Sequence, residues 1–140
     1  MKSTLLYCVL ACLFTITFNG TAQTLAVAVR DVKNSKGMVR IALYNSEKDF
    51  MKTMWRAVSV QAIPGEIRAA FEDIPPGTYA ISVVHDANGN DKMDSNAMGI
   101  PKEGFGFSND AQGTFGPPSF EEAKFVWDGR KRIEIRLKYF

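Results

Sequence analysis

The chain has 140 residues, a formal charge of +2, 46% hydrophobic and 23% charged residues. That balance excludes the strongly basic footprint of a nucleic-acid-binding domain, and no segment carries a conspicuous basic cluster. Both cysteines, Cys8 and Cys12, fall near the start, so the remainder has no thiol for a disulfide, a thiolate metal site or a nucleophile.

Residues 1–22 read as a signal peptide. Lys2 supplies the positive start, and residues 5–18 form a run of about fourteen mainly apolar residues, the size of a signal core. The run is shorter than the roughly 20 residues that span a bilayer. Gly20-Thr21-Ala22 resembles a cleavage site, leaving Gln23 as the mature N-terminus. The expected location is periplasmic or extracellular. Val9-Leu10-Ala11-Cys12 also resembles a lipoprotein signal with Cys12 lipidated, but residues 13–18 are then apolar where a polar tether is normal. Residues 23–140, 118 in number, carry a charge of +1 once Lys2 is gone, and are expected to fold as one domain. Without cysteines, that domain rests on buried apolar surface.

The dominant period along these residues is two. Leu25, Val27 and Val29 alternate with Ala26, Ala28 and Arg30; Val39, Ile41 and Leu43 alternate with Arg40, Ala42 and Tyr44. With Asn34-Ser35-Lys36-Gly37 between them, the two runs read as a β-hairpin. Ser46 and Asp49 are spaced to cap one short helical turn. Val58 and Val60 mark a third strand; Ile67, Ala69 and Phe71 mark a fourth beyond the Pro64-Gly65 turn. Pro75-Pro76-Gly77 is a strong turn signal, because Pro fixes φ and Gly accepts positive φ. In residues 78–84, Tyr79, Ile81 and Val83 share one face, and Ala80 and Val84 share the other, the composition of a central strand covered on both sides.

Residues 86–119 form a connection of 34 residues, far beyond the usual loop length. Its part 99–116 holds five glycines together with Phe105, Phe107 and Phe115. Disordered linkers are poor in aromatics, so this loop is expected to pack down and cover an open end of the fold. Ser119-Phe120-Glu121-Glu122 has the pattern of a capping box opening one helical turn. A short sixth strand follows near residues 124–127, then the Asp128-Gly129 turn. The final strand places Ile133, Ile135, Leu137 and Tyr139 opposite Glu134, Arg136 and Lys138. The Arg130-Lys131-Arg132 run between them reads as a solvated hairpin tip. About seven short strands without a long helix predict an antiparallel β-sandwich with one long ordered loop.

The most informative stretch is His85-Asp86-Ala87-Asn88-Gly89-Asn90-Asp91-Lys92-Met93-Asp94. It sets Asp86, Asn88, Asn90 and Asp94 at loop positions 1, 3, 5 and 9, with the Lys92 carbonyl at position 7, as a loop does when it wraps oxygen ligands around Ca²⁺. Position 12, where a bidentate Glu stands in an EF-hand, is Ala97. Asn96 and Glu103 are candidates to complete the shell. The same residues suit a metal-free turn whose side chains bond the local backbone. His85 is the sole histidine. It is a potential general base beside Asp86, but no serine, cysteine or second histidine is spaced to complete a nucleophilic set.

Four stretches together resemble one family: residues 73–80 (Asp-Ile-Pro-Pro-Gly-Thr-Tyr-Ala), 85–90 (His-Asp-Ala-Asn-Gly-Asn), 99–109 (Gly-Ile-Pro-Lys-Glu-Gly-Phe-Gly-Phe-Ser-Asn) and 117–123 (Pro-Pro-Ser-Phe-Glu-Glu-Ala). The chain resembles the exported bacterial family known as domain of unknown function 2141 over essentially all of residues 23–140. The resemblance implies a small secreted β-sandwich in the style of transthyretin-like and collagen-adhesin B-type modules, and no particular activity. Transthyretin-like ureide hydrolases use several histidines and arginines, a set not matched here. Where the family commonly reads Asn-Gly-Asn-Gly-Lys, Asp91 stands for the second Gly, at a position that tends to need a left-handed backbone.

The expected protein is therefore a secreted, non-enzymatic β-sandwich module with a weak structural Ca²⁺ site at Asp86, Asn88, Asn90, Lys92 and Asp94. On this reading the ion overcomes the mutual repulsion of Asp86, Asp91 and Asp94 and closes the long loop onto the sandwich. One alternative is a small hydrolase or ligand carrier with a cleft between His85 and the Phe-rich loop. Another is a cell-surface adhesive module meeting envelope or extracellular material.

Overall fold

The computed structural model describes residues 23–140. The signal-peptide reading of residues 1–22, with Cys8 and Cys12, lies outside the described residues. Eight strands form two sheets packed face to face, a β-sandwich. Strands β1 (Gln23–Val32), β4 (Gly65–Ile74) and β8 (Ile133–Arg136) make sheet I in the order β4-β1-β8. Strands β2 (Met38–Tyr44), β3 (Arg56–Gln61), β5 (Gly77–Asp86) and β6 (Gly104–Phe107) make sheet II in the order β3-β2-β5-β6. The short β7 (Phe125–Trp127) pairs with the first residues of β5. Among the described residues no helix is long and apolar enough to cross a membrane.

The period-two pattern fixes what lies between the sheets. Leu25, Val27 and Val29 from β1, Ile67 and Phe71 from β4, and Ile135 from β8 face Val39, Ile41, Leu43, Ile81 and Val83 from sheet II. Burying each of these large side chains contributes about 1.5–3 kcal/mol. Trp127 closes the core and donates its indole N–H to the Ile74 carbonyl at 3.2 Å.

The expected hairpin of β1 and β2 does not form. Strand β1 pairs antiparallel with β4 and parallel with β8, whereas β2 pairs with β3 and β5. A break in the β1 register between Val29 and Val32, with Asp31 at φ 62°, turns the chain out of sheet I, so the next strand enters the opposite layer. Alternation predicts which face of each strand is buried. Two strands can satisfy it as neighbours in one sheet or across the core, and here the second arrangement holds.

A second cluster covers the outer face of sheet II. Tyr44 and Ala80 pack there with Phe50, Phe107, Phe120 and Ala123. The start of β5 is thus covered on both faces, as its composition predicts, while Val84 near its end is only half-buried. The expected turn after Pro118 forms as α1 (Phe120–Ala123), with the Ser119–Glu122 capping box complete. At Ser46 the expected capping bond forms, its hydroxyl accepting the Asp49 N–H at 3.3 Å, but no helix follows. Residues 47–53 make successive reverse turns, because Met51 sits at φ 60°, outside helical space.

The long connection contains an element the pattern reading passed over. Gly104–Phe107 is a strand pairing antiparallel with β5, Val83 opposite Gly106. Its packing also differs from the expected plug. Phe107 is buried in the outer cluster and Phe105 is half-buried, while Phe115 is fully exposed and covers nothing.

Candidate functional site

Alternation along β5 sends His85 and Asp86 to opposite sides of sheet II. His85 points into the sandwich and is 1% exposed, its ring held between two partners. Nε2 lies 2.7 Å from the Lys36 carbonyl, and Nδ1 lies 2.8 Å from the Tyr139 hydroxyl. A carbonyl only accepts, so the proton belongs on Nε2 and Nδ1 accepts from Tyr139. The Tyr139 hydroxyl in turn accepts the Lys33 backbone N–H at 3.0 Å. This chain ties the β1–β2 turn, β5 and the C-terminal segment together. It pairs both ring nitrogens and seals the ring from the surface, so His85 does not face a cleft as the alternative reading required. A trough of about 200 Å³ does lie beside Phe105 and Phe107, but its other walls include Asp110, Gln112, Arg136 and Lys138, not His85.

Asp86 points outward and is nevertheless completely buried, because the loop that follows folds over it. One carboxylate oxygen accepts the backbone N–H groups of Gly89 (2.8 Å) and Asn90 (3.2 Å). The other accepts Asp91 N–H at 3.0 Å and the Nε–H of Arg40 at 2.9 Å. Arg40 reaches Asp86 diagonally across the β2–β5 ladder, where Met38 stands opposite Asp86 and Arg40 opposite Val84. Its terminal nitrogen pairs with Asp91. Asp91 adopts φ 64°, the left-handed backbone expected at that position. The repulsion expected between the loop carboxylates is thus largely relieved from within the protein, by a guanidinium.

The remaining candidate ligands gather on the exposed side. Asn90 Nδ2 lies 3.0 Å from both carboxylate oxygens of Asp94, and Asn88 Nδ2 also donates to Asp94. The Asn88 oxygen accepts Asn90 N–H, and the Asn90 oxygen accepts Lys92 N–H. Asn88, Asn90 and Asp94 therefore converge, while Asp86 turns inward. Glu103, 7% exposed, accepts the N–H groups of Ala87 and Asp94, both at 3.2 Å, and so ties the two ends of the loop. Asn96 caps its own turn through the N–H groups of Met98 and Ile100. Among the described residues no three carboxylate, imidazole or thiolate groups are grouped to hold a metal.

Against a hard cation, the donor set fits in kind. Asp94 supplies a carboxylate, and half-turns of the Asn88 and Asn90 amides would bring two oxygens to it, at the cost of the Asn90 and Lys92 N–H groups those oxygens now accept. It is a small set, with one carboxylate not already neutralised.

Pattern reading missed two contributions. Arg40 carries no signal beyond an outward position on a strand. Ser108 is fully buried; its hydroxyl accepts Ile81 N–H at 2.9 Å and donates to the Ala123 carbonyl, joining β5 to α1. Asn109 continues the join, donating to the carbonyls of Glu122 and Lys124.

No curated protein and no solved structure matched the chain. A family model described as an uncharacterized protein conserved in bacteria matches residues 27–135, which takes in every strand except the first residues of β1 and the last of β8. By that match the chain belongs to the bacterial family of domain of unknown function 2141.

Proposed function

We propose that this protein is an exported, non-catalytic β-sandwich module whose 86–94 loop takes up Ca²⁺ weakly, the ion serving a structural role. The observation that carries the reading is the convergence of Asn88 and Asn90 on the half-buried carboxylate of Asp94. The Lys92 carbonyl, two residues before Asp94 in the chain, completes the proposed donor set. Asp86 contributes by holding the loop in shape through three backbone amides and Arg40. With one available charge, the dissociation constant falls on the order of 10⁻⁴ to 10⁻³ M, the range of extracellular modules. Such a site fills only where calcium is abundant, which agrees with export. A non-catalytic role is supported by His85, whose two nitrogens are spent on structural partners.

The test is thermal unfolding in EDTA and in 10 mM CaCl₂, for the native chain and for Asp94→Ala. At a millimolar dissociation constant, linkage gives about 1.4 kcal/mol, or roughly 5 °C in Tm. The shift is expected in the native chain and not in the variant. No shift in the native chain refutes the calcium site. Export is checked separately by the intact mass of the protein in the periplasm or medium, which should begin at Gln23.

A further inference from the structure

The two sides of the sandwich end differently. On one side the segment after β8 returns along β6: Phe105 and Lys138 exchange both backbone bonds, at 3.0 and 2.8 Å, and Leu137 donates to the Arg30 carbonyl. On the other side lie β3 and β4, each the last strand of its sheet among the described residues. Strand β4 carries devices that keep an edge unpaired. Glu66, Arg68, Glu72 and Asp73 run along it, and its register against β1 is broken in two places. Strand β3 carries almost none. Its register with β2 is unbroken, it has no proline, and Ala57-Val58-Ser59-Val60-Gln61 holds no charge. Its one charged residue, Arg56, stacks on Trp55 and donates to the Glu72 carbonyl. Ala62 donates its N–H to the Gly37 carbonyl at 3.2 Å, so by alternation Val60 and Val58 turn their backbone groups to β2. The N–H and C=O groups of Ala57, Ser59 and Gln61 point the other way, along an open edge.

We infer that β3 is an association surface for a second copy of this chain, added antiparallel across a twofold axis at Ser59. Strand addition at an exposed edge pairs main-chain groups that water otherwise holds. A twofold interface must be self-complementary, since the same residues meet from both sides. Strand β3 meets that condition. With Ser59 opposite itself, Ala57 falls opposite Gln61 and Val58 opposite Val60. All three outward-facing residues then become bonded pairs, with about six bonds between the chains. The one charged residue, Arg56, falls opposite Ala62 and not opposite its own copy. One residue further out, Trp55 meets Ile63, 36% and 57% exposed in the single chain. The apolar groups flanking β3 at its two ends are thereby brought together. The product is one continuous sheet in which two copies of sheet II lie edge to edge. The interface is short, which makes association weak and concentration-dependent. The inference goes beyond the calcium reading and uses none of its ligands.

The test is analytical ultracentrifugation of the full chain carrying Cys8→Ser and Cys12→Ser, so that no disulfide joins chains. The sedimenting mass should rise from one chain to two as concentration increases from micromolar to millimolar. Ser59→Pro removes the central outward N–H and sets its ring on the axis, while the β2 ladder does not use that N–H. This variant should stay monomeric. Ser59→Ala keeps the backbone donor and should associate as the native chain does. A second measurement needs no β3 variant. Hydrogen exchange in the concentrated protein should slow at the Ala57, Ser59 and Gln61 amides and recover on dilution, with Glu66 and Arg68 in the other edge strand unchanged. A chain that stays monomeric overturns the assignment and leaves the edge to an extended strand of another protein. A dimer undiminished by Ser59→Pro also overturns it, as does one in which the β3 amides exchange freely.

Discussion

Replacing Asp86 with Asn changes one oxygen to nitrogen and should cost about 3 kcal/mol of folding stability. The magnitude follows from the four donors that converge on the carboxylate. An Asn oxygen can still serve the Gly89 and Asn90 amides, but the new NH₂ then faces Arg40 and the Asp91 N–H, two donors against a donor. Losing the charge-assisted bond to Arg40 costs about 1.5–3 kcal/mol, and leaving the Asp91 N–H unpaired adds about 1 kcal/mol or more. Arg40→Met should cost less, because Asp86 keeps its three amides and Asp91 is exposed to water. Urea unfolding of the native chain, both single variants and the double variant measures the terms directly. The coupling between positions 40 and 86 should come out near 1–2 kcal/mol. A loss below 1 kcal/mol for Asp86→Asn would refute the view that this buried carboxylate organises the loop.

Four further outcomes are expected. Tyr139→Phe leaves His85 Nδ1 and the Lys33 N–H without their shared partner, and should cost about 2 kcal/mol in chemical unfolding. Gly104→Ala drives a methyl group to 2.4 Å from the Tyr139 ring; a loss of about 1–3 kcal/mol is expected, with less of it when Tyr139 is already Ala. Ser108→Ala should speed hydrogen exchange at the Ile81 amide and cost about 1–2 kcal/mol, since that amide loses its only side-chain acceptor. Two groups set pH dependence in opposite directions. The backbone N–H and hydroxyl of Ser119 hold the Glu122 carboxyl below its usual 4.5, so its contribution is present above that value and lost as pH falls through the folded pKa; Glu122→Gln removes this acid-side loss. Burial pushes the Tyr139 phenol above 10.0, so its contribution is complete below pH 10 and lost as pH rises through the folded pKa, an alkaline loss that Tyr139→Phe abolishes in pH-dependent melting.

The inner faces of the strands were legible because period-two alternation reports burial directly: Leu25, Val27 and Val29 face inward as read. Pairing was not, because Val29 meets the same apolar environment whether Ile41 lies beside it or across the core. Strand β6 was hidden by its glycines, which carry no hydrophobic signal. Gly104 and Gly106 are there because the Tyr139 ring and the Arg136 carbonyl approach too closely for any side chain. The loop at residues 86–94 was legible as a turn of Asp and Asn residues, since such residues bond their own backbone. Its actual centre was not, because the role of Arg40 depends on a diagonal across two strands distant in sequence.

The parallel pairing of β1 with β8 bears on when the chain can fold. Val27 needs Ala69 on one side and Ile133 on the other, and the second of these is synthesised long after the first. Until then sheet I lacks an edge. The C-terminal segment, which donates Leu137 N–H to Arg30 and exchanges two backbone bonds with Phe105, has yet to link the two layers. Such distant closures make for slow, late folding. A nascent chain would keep sheet I open until β8 has been made.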